Sequence, residues 1–375
     1  RGPWITPFNV ISIPIIMIGL VILVYRFIFG LGYVTNLSQE HPWGLWLGFD
    51  VVTGVALAGG AYIITFVVYV MRVEKYQSIV RATVLNGFLA YMFYGGALLF
   101  DIGRPWNAMN PFIGNNFGYA SVLFLICWHF ALYMVAAFIE FSPVVAEWLN
   151  QEKARKFLKS LTLGTVILGV TLSLLHQSGL GALFLMAKPK IHPLWWSQFT
   201  PVLFFVSSIY AGLSMIIFEG TVSHRAFGHL IAPKDQHAFD DIVFGLAKGA
   251  AITMFVYYVF KALLFIHDKQ WGLINTVWGY WYLVEVIGFV LVPAFMFAFG
   301  YRHRSLNIVK IAAVMALLGV VLNRLNISII VFHWYEAVRY YPSWQEIMVT
   351  LMVICAEIWL FRWVVTRMPV FSSNH

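Results

Sequence analysis

Ten long apolar stretches run through this sequence, and they constrain its fold more than any other feature. The hydrocarbon core of a bilayer is about 30 Å thick, so a helix rising 1.5 Å per residue needs roughly 20 apolar residues to cross it. Such stretches predict spanning helices near 9–30, 43–71, 79–101, 117–140, 158–185, 196–219, 242–266, 272–300, 308–331 and 345–366. The sequence therefore predicts an all-α integral membrane protein, with one polytopic membrane domain over residues 1–375.

The composition excludes a water-soluble globular domain. Hydrophobic residues make up 61% of the chain and charged residues 11%, whereas a soluble domain carries about 25% charged residues. A surface this poor in charge is compatible with lipid rather than with water. Cys127 and Cys355 lie in apolar segments without a CxxC motif, so we expect neither a zinc site nor a thiolate-ligated iron–sulfur cluster.

The positions of Lys and Arg predict the orientation. With the N-terminus in the cytoplasm, 16 of them, Arg1 and Lys234 included, fall in or beside cytoplasmic connections, and six, Arg26 included, lie beside periplasmic ones. Cytoplasmic connections are enriched in Lys and Arg, so both termini are predicted to face the cytoplasm. Because the basic residues lie between spans, nucleic acid is not an expected partner. Residues 9–29 are long enough to span, and we expect them not to be cleaved as a signal peptide.

Proline precedes tryptophan in four predicted periplasmic connections. Proline suits the first position of a helix, and tryptophan favours the membrane interface. The motifs therefore anchor the helices at the interface, form a docking platform for a partner subunit, or do both. They are His41-Pro42-Trp43, Arg104-Pro105-Trp106, His192-Pro193-Leu194-Trp195-Trp196 and Tyr341-Pro342-Ser343-Trp344.

A group of polar residues shares one predicted depth near the periplasmic ends of the helices. An ionisable side chain at mid-membrane costs at least about 2.5–3.5 kcal/mol, so each needs a partner, a cavity or a function. The rise per residue puts Asp50 about 10 Å and His176 about 13 Å below the periplasmic surface. The group comes from consecutive helices, which pack as neighbours when connections are short. It comprises Asp50, Asp101, Arg104, His176 and Gln177.

Five further ionisable residues lie deeper. Glu140 and Glu219 are predicted at the cytoplasmic ends of the fourth and sixth helices, where they are interfacial charges or parts of a proton route. Arg324 is expected at intermediate depth, where Glu285 or Glu357 could form a buried ion pair with it. Intramembrane acids often form proton pathways. These five residues, together with the periplasmic carboxylates, are therefore a candidate proton path.

The periplasmic polar group has the residue types that quinone chemistry requires. Reduction of a quinone consumes two electrons and two protons, so its site needs a hydrogen-bond donor and titratable groups that exchange protons. His176 suits the first role because its pKa lies near neutrality, and a carboxylate near an arginine can hold or pass a proton. We predict that His176, Asp50 and Asp101 are catalytic and that Arg104 and Gln177 complete the quinone pocket.

Two other classes of membrane protein stay open. A b-type cytochrome anchor needs two histidines at matching depth; His129 and His176 meet that condition. A transmembrane electron path would need two haems and four ligands, so we expect no haem b. A secondary transporter also combines two bundles with buried charge, but its helices are commonly broken at mid-membrane. Here the polar group lies towards one side, and Gly59-Gly60 and Gly95-Gly96 are typical of close helix packing.

Short motifs occur from the first predicted helix to the tenth. They are Phe29-Gly30-Leu31-Gly32, Pro42-Trp43-Gly44-Leu45-Trp46, Phe49-Asp50, Asp101-Ile102-Gly103-Arg104, His176-Gln177-Ser178, His192-Pro193-Leu194-Trp195, Phe218-Glu219-Gly220, Arg324 and Ile354-Cys355-Ala356-Glu357-Ile358. In order and spacing this set resembles the NrfD/PsrC family of quinone-interacting membrane subunits, especially its ten-helix, HybB-like branch in hydrogenase-2-type complexes. His129 belongs to none of these motifs and points to a sister branch, the Hmc-type redox complexes.

The resemblance implies two four-helix bundles, over 43–185 and 196–331, flanked by helices at 9–30 and 345–366. It also implies the bacterial inner membrane, no tightly bound prosthetic group, and menaquinone or ubiquinone as substrate near the periplasmic face. The implied partners are a periplasmic iron–sulfur subunit of ferredoxin type and the catalytic redox subunits of a larger complex. The chain is therefore not expected to be catalytic alone, and proton translocation by the family fits the acid series.

Overall fold

The chain forms ten helices that are long and apolar enough to cross a membrane, which confirms the predicted number. The computed structural model describes residues 6–114, 118–231 and 233–371, with the backbone alone at 230 and 233–237. Residue 117 of the predicted fourth stretch, Arg1 and the Lys234 side chain lie outside this part. The helices are α1 (Pro7–Phe29), α2 (Trp46–Val70), α3 (Glu74–Asp101), α4 (Val122–Trp148), α5 (Glu152–Ala187), α6 (Thr200–Phe227), α7 (Ala238–His267), α8 (Val277–Arg302), α9 (Leu306–Ile330) and α10 (Trp344–Val365).

The predicted ends of α4 and α6 were wrong. Both helices continue well beyond Glu140 and Glu219, so these acids lie inside helices rather than at their ends. In α4 the helix passes through Pro143, which cannot donate to the carbonyl oxygen of Ile139. The Ser142 hydroxyl donates to that oxygen at 2.6 Å. A neighbouring hydroxyl thus replaces the lost backbone bond, which is how membrane helices tolerate proline.

The connections collect at two ends of the molecule. At the first, which we call the Pro-Trp end, α1, α3, α5, α7 and α9 finish and the Pro-Trp motifs lie. At the second, the basic end, α2, α4, α6, α8 and α10 finish. Many apolar side chains on the outer helices are exposed, among them Ile28 of α1 at 67%, as expected of a surface that faces lipid.

Helix contacts form two closed patterns. Contacts join α2 to α3, α3 to α4, α4 to α5 and α5 back to α2, and the same pattern connects α6 to α9. The two groups meet where α2 packs on α6 and α9 and where α5 packs on α6. Beside them, α1 packs on α10, and α10 packs on α3. These contacts are those expected of two four-helix bundles with two flanking helices; the division into bundles stays a prediction.

Glycines bring α2 and α6 into close contact. A Cβ on Gly60 would lie 2.9 Å from the carbonyl oxygen of Gly212, and a Cβ on Gly59 would lie 2.6 Å from a carbonyl oxygen of α6. A Cβ on Gly95 would lie 2.2 Å from a phenylalanine ring of α4, whereas Gly96 faces open space. The close packing predicted for Gly59, Gly60 and Gly95 is confirmed, and that predicted for Gly96 is wrong.

Candidate functional site

Wide π-helical turns occur at polar positions of the membrane helices. In the part of the chain that the structure describes, they cover Trp46–Gly54, Phe66–Val70, Tyr91–Gly95, Val284–Leu291 and Asn326–Ile330. Such turns interrupt the regular hydrogen-bond ladder and are frequent at functional sites. Four of the five contain a polar residue of the clusters described below: Asp50, Tyr91, Tyr94, Glu285 and Asn326.

One group of polar residues surrounds His176 between α2, α3, α4 and α5. We call it the histidine cluster: Tyr91, His129, Ser173, His176 and Gln177. His176 is 3% exposed, and its ring centroid lies 5.6 Å from that of Tyr91 and 6.0 Å from that of Phe130. The ring interacts with the backbone of Ile126 and electrostatically with His129. The Nδ1 atoms of both histidines are buried without a hydrogen-bond partner among the described residues.

Gln177 links this cluster to α2. Its Nε2 donates to the carbonyl oxygen of Val55 at 2.8 Å and lies 3.4 Å from the Tyr91 hydroxyl, which is 3.0 Å from the Ser173 hydroxyl. Because Nε2 donates to a carbonyl, Oε1 of Gln177 is left as an acceptor. This oxygen is buried and has no partner among the described residues. Two adjacent residues of α5 therefore each hold an unpaired polar atom in an apolar interior, where such atoms are rare.

A second group, the carboxylate row, crosses the protein between α3, α6 and α10. It comprises Asp101, Asp50, Tyr94, Glu357 and Glu219. Asp50 is fully buried and accepts a hydrogen bond from Thr350 Oγ1 at 2.9 Å. It interacts electrostatically with Asp101 and with Tyr94. The Tyr94 hydroxyl interacts with the Glu357 carboxyl group, which interacts in turn with Glu219.

The carboxylate row ends in a cavity at the basic end. Glu219 Oε1 accepts a hydrogen bond from Asn86 Nδ2 at 2.7 Å, and both residues line the cavity. The remaining polar residues of its lining are Ser78, Thr83, Ser223 and His224. Glu219 is therefore placed to exchange protons with the basic end, while Asp101 lies at the opposite end of the row.

The arginine beside Asp101 is Arg26 of α1 rather than the predicted Arg104. Arg26 is 2% exposed, and its Nε and Nη2 donate to the carbonyl oxygens on either side of Asp101, at 2.6 Å and 2.5 Å. It also interacts electrostatically with Asp101. The Arg104 side chain is exposed and forms no hydrogen bond or ion pair within the described residues. Depth alone made Arg26 look like an interfacial charge, because the sequence does not show that α1 packs beside the end of α3.

Sequence reasoning also missed Glu346, at the start of α10. It forms a capping box with Ser343, is 1% exposed and accepts hydrogen bonds from the Asn36 backbone and the Tyr340 hydroxyl. It interacts electrostatically with Asp101. A Ser-x-x-Glu pattern before an apolar run is the sequence signal of such a cap, and it could have identified this residue.

The structure separates His176 from the two predicted catalytic carboxylates. Among the described residues, no hydrogen bond or ion pair connects His176 with Asp50 or Asp101. The helix α3 lies between them: Tyr91 faces Gln177, while Tyr94 faces the carboxylate row. Equal depth was taken to mean a shared site, but the direction of each side chain about its helix axis decides which residues meet.

Glu140 is associated with the histidine cluster rather than with Glu219. It interacts electrostatically with Tyr133 and Tyr69, and its Oε1 is buried without a partner among the described residues. The ring centroid of Tyr133 lies 4.2 Å from that of Tyr91. The acids predicted as one proton path therefore fall into separate sets.

Glu285 and Arg324 form a third polar cluster, between α6, α8 and α9. Each is 1% exposed. Arg324 donates to Asn323 Oδ1 at 2.8 Å and to a serine hydroxyl of α6 at 2.6 Å. Asn323 thus stands between the two charges, and the described residues contain no direct ion pair of Arg324 with Glu285 or Glu357. Three side chains donate to Glu285: Trp195, Asn323 and Asn326.

At the Pro-Trp end, the connection after α5 buries His192. It is 2% exposed, and its ring centroid lies 4.7 Å from that of Trp334 and 5.6 Å from that of Trp195. Its Nδ1 accepts a hydrogen bond from the Leu194 backbone at 3.2 Å. Burial lowers the pKa of His192 to about 4, since an apolar surrounding disfavours the charged ring.

The Pro-Trp motifs therefore divide into two kinds. Trp195 is buried and binds Glu285, so its motif is part of the core. Trp106 is 75% exposed and Trp344 is 61% exposed, so interfacial anchoring and partner docking both stay open for their motifs.

Comparison with known proteins identifies the family. The model of the family described as polysulphide reductase, NrfD, matches residues 33–334, so the chain belongs to the NrfD family. It is 40% identical to a protein of Nitratidesulfovibrio vulgaris (strain Hildenborough) over 98% of this chain and 95% of that protein. It is 28% identical to the probable Ni/Fe-hydrogenase 2 b-type cytochrome subunit of Escherichia coli (strain K12), over 96% and 93%. It is also 23% identical to a subunit of the selenate reductase of Mesobacillus selenatarsenatis, over 56% and 55%.

These findings confirm the resemblance that the motifs indicated, including the likeness to the hydrogenase-2 branch. Together with the ten apolar helices, they make the chain a multi-pass integral membrane protein.

The low pKa of His192 predicts a stability that falls on acidification. The unfolded chain takes up a proton near the ordinary histidine pKa of about 6.5, whereas the folded chain does so only near about 4. Between these values the unfolded state binds more protons, so stability decreases as pH is lowered. In detergent, the melting temperature is expected to drop between pH 7 and about pH 5, and the drop should be smaller in His192→Phe. Exposed His267→Phe is the control; equal drops in His192→Phe and the parent chain would contradict this account.

Proposed function

We propose that this chain is the quinone-reactive membrane subunit of a respiratory redox complex. In this role it passes electrons between a periplasmic iron–sulfur subunit of ferredoxin type and the menaquinone or ubiquinone pool. The observation that carries the proposal is the pair of unpaired, buried polar atoms, His176 Nδ1 and Gln177 Oε1. The names of two relatives, subunits of a hydrogenase and of a selenate reductase, support membership of a redox complex that contains further catalytic subunits.

These two atoms match the chemistry of a quinone. A quinone oxygen accepts hydrogen bonds when oxidised and carries a hydroxyl hydrogen when reduced. His176 can donate or accept at Nδ1, depending on its protonation state, and Gln177 Oε1 accepts a hydroxyl hydrogen. The hydrogen bonds of Gln177 with Val55 and Tyr91 hold that oxygen in place. His176 is the proton-exchanging group of this proposed site, and Asp50 and Asp101 act on the route that protons take rather than beside the quinone.

The proposed orientation follows the distribution of basic residues. The Pro-Trp end faces the periplasm and both termini face the cytoplasm of a bacterial inner membrane, because the basic end carries most Lys and Arg. In this orientation the histidine cluster lies in the periplasmic half of α5, within reach of a periplasmic electron donor or acceptor. The cavity beside Glu219 opens towards the cytoplasm.

We further propose that the carboxylate row conducts protons across the membrane. The acids are spaced along the row with one tyrosine hydroxyl between Asp50 and Glu357, and the row joins the cavity through Glu219. Carboxyl and hydroxyl groups in a low-polarity interior can pass protons along such a series. Arg26 and Thr350 fix the first two carboxylates in position.

The residues around His129 and His176 do not fit a haem. A porphyrin held between these histidines would separate α4 from α5 at this level. Instead, a Cβ on Gly179 of α5 would lie 2.9 Å from the Ile126 side chain of α4, so the two helices are in direct contact. The E. coli relative carries the name b-type cytochrome subunit, which makes a direct test necessary.

Replacing His176 with Ala should lower quinone-coupled turnover by about 100-fold or more, since positioned proton-exchanging groups contribute on the order of 10²–10⁴. The rate is measured in membranes containing the whole complex, with co-purification of the partner subunits as the test of assembly. Exposed His303 at the basic end supplies the matched control, His303→Ala, which should keep the parent rate. Full turnover in an assembled His176→Ala complex would remove this residue from the quinone site.

Glu357→Gln should separate electron transfer from proton movement. The amide cannot exchange a proton, so proton uptake from the basic end should fall at least tenfold, as for loss of an acid–base group. Proton uptake and quinone turnover are followed together in liposomes containing the complex. Glu357→Asp keeps a carboxyl group and should retain uptake; parent-like uptake in Glu357→Gln would rule out this row as the route.

A reduced-minus-oxidised absorption spectrum tests whether the chain binds haem. The purified chain is expected to show no haem b band, because α4 and α5 pack directly against each other. A band corresponding to one haem per chain, lost in His129→Ala, would contradict this expectation.

A further inference from the structure

A groove between α7 and α8 at the basic end combines basic and apolar side chains. It has a volume of about 670 Å³ and is lined by Lys248, Ala251, Ile252, Phe255, Ala298, Tyr301, Arg302 and Arg304. A volume of this order suits a bound molecule, since ligand pockets span roughly 300–1,000 Å³. Three of the lining residues are cations, and none of them is an acid. The groove therefore favours an anionic occupant.

The turn after α8 holds one of these cations across the mouth of the groove. Arg304 has a φ of 52°, in the left-handed region that favours glycine. Its guanidinium carbon lies 4.4 Å from the centroid of the Phe244 ring, and the guanidinium forms an ion pair with Asp241. The neighbouring Ser305 amide closes the turn by donating to the carbonyl oxygen of Gly300 at 2.9 Å.

The other two cations are available to an external anion. The Lys248 ammonium lies 5.7 Å from the centroid of the Tyr301 ring, and Arg302 is exposed. Neither side chain forms an ion pair with a described residue. Below this charged rim, the groove continues along apolar residues of both helices; Ile252 is 56% exposed and Phe295, next to the groove, is 59% exposed. One end of the groove thus suits a phosphate and the other suits acyl chains.

We propose that this groove binds an anionic phospholipid, with its phosphate at Lys248 and Arg302 and its acyl chains along α7 and α8. Basic pockets between membrane helices on the side of the basic loops recognise such head groups. The continuous apolar floor favours a lipid over a free phosphate ion, because a small anion would leave that surface uncovered. The site is separate from the histidine cluster and does not depend on the proposed quinone chemistry.

Native mass spectrometry of the detergent-purified full chain tests this proposal. Phosphatidylglycerol and phosphatidylcholine with identical acyl chains are compared as probes. Each removed charge near a membrane surface weakens binding roughly fivefold, so Lys248→Gln with Arg302→Gln should weaken phosphatidylglycerol binding by roughly 25-fold and leave phosphatidylcholine binding unchanged. The matched control, Lys156→Gln with Lys159→Gln, removes two exposed charges of α5 at the same end and should change neither.

A second variant tests the apolar floor. Ala298→Phe keeps all three cations but fills the groove, so it should reduce phosphatidylglycerol binding even if the double variant fails to fold. Inorganic phosphate should not displace the lipid. Equal binding of the two phospholipids, equal loss in the control variant, unchanged binding in Ala298→Phe, or displacement by inorganic phosphate would each overturn the proposal.

Discussion

A polar group inside a bilayer cannot bind water, so it must find its partners within the protein. Most ionisable groups of the spans obey this constraint through specific contacts. Asp50 accepts from Thr350, Arg26 donates to two backbone carbonyls, and Glu285 accepts from three side chains. Against this background, the unpaired atoms on α4 and α5 become informative. They belong to His129, Glu140, His176 and Gln177.

The helix α3 organises the chemistry because it presents different residues to its two sides. Its π-helical turn at Tyr91–Gly95 contains one tyrosine that faces α5 and another that faces α10. The proposed quinone group and the proposed proton row are therefore neighbours without sharing a residue. Such an arrangement allows protons and electrons to be controlled by different side chains, and it requires that α3 connect the two events.

Length and hydropathy predicted the ten spans well because the thickness of the bilayer sets the length of each helix. The predicted ends were less accurate where local chemistry decides: Ser142 compensates for Pro143, so α4 continues past Glu140. Depth could be calculated from the sequence, but the direction of a side chain about its helix could not, since π-helical turns rotate it. For this reason His176 was grouped with Asp50, and Arg26 was assigned to the interface although it binds beside Asp101.

The central claim is that quinone binds at the histidine cluster, on the α5 side of α3. Photoaffinity labelling of the complex with an azido-quinone, followed by peptide mapping, tests this claim most directly. The account predicts label on α3, α4 and α5 near Tyr91, Phe130 and His176, and loss of that label when excess unlabelled quinone is present. Label concentrated on α10 near Thr350, or on α9 near Arg324, would contradict it.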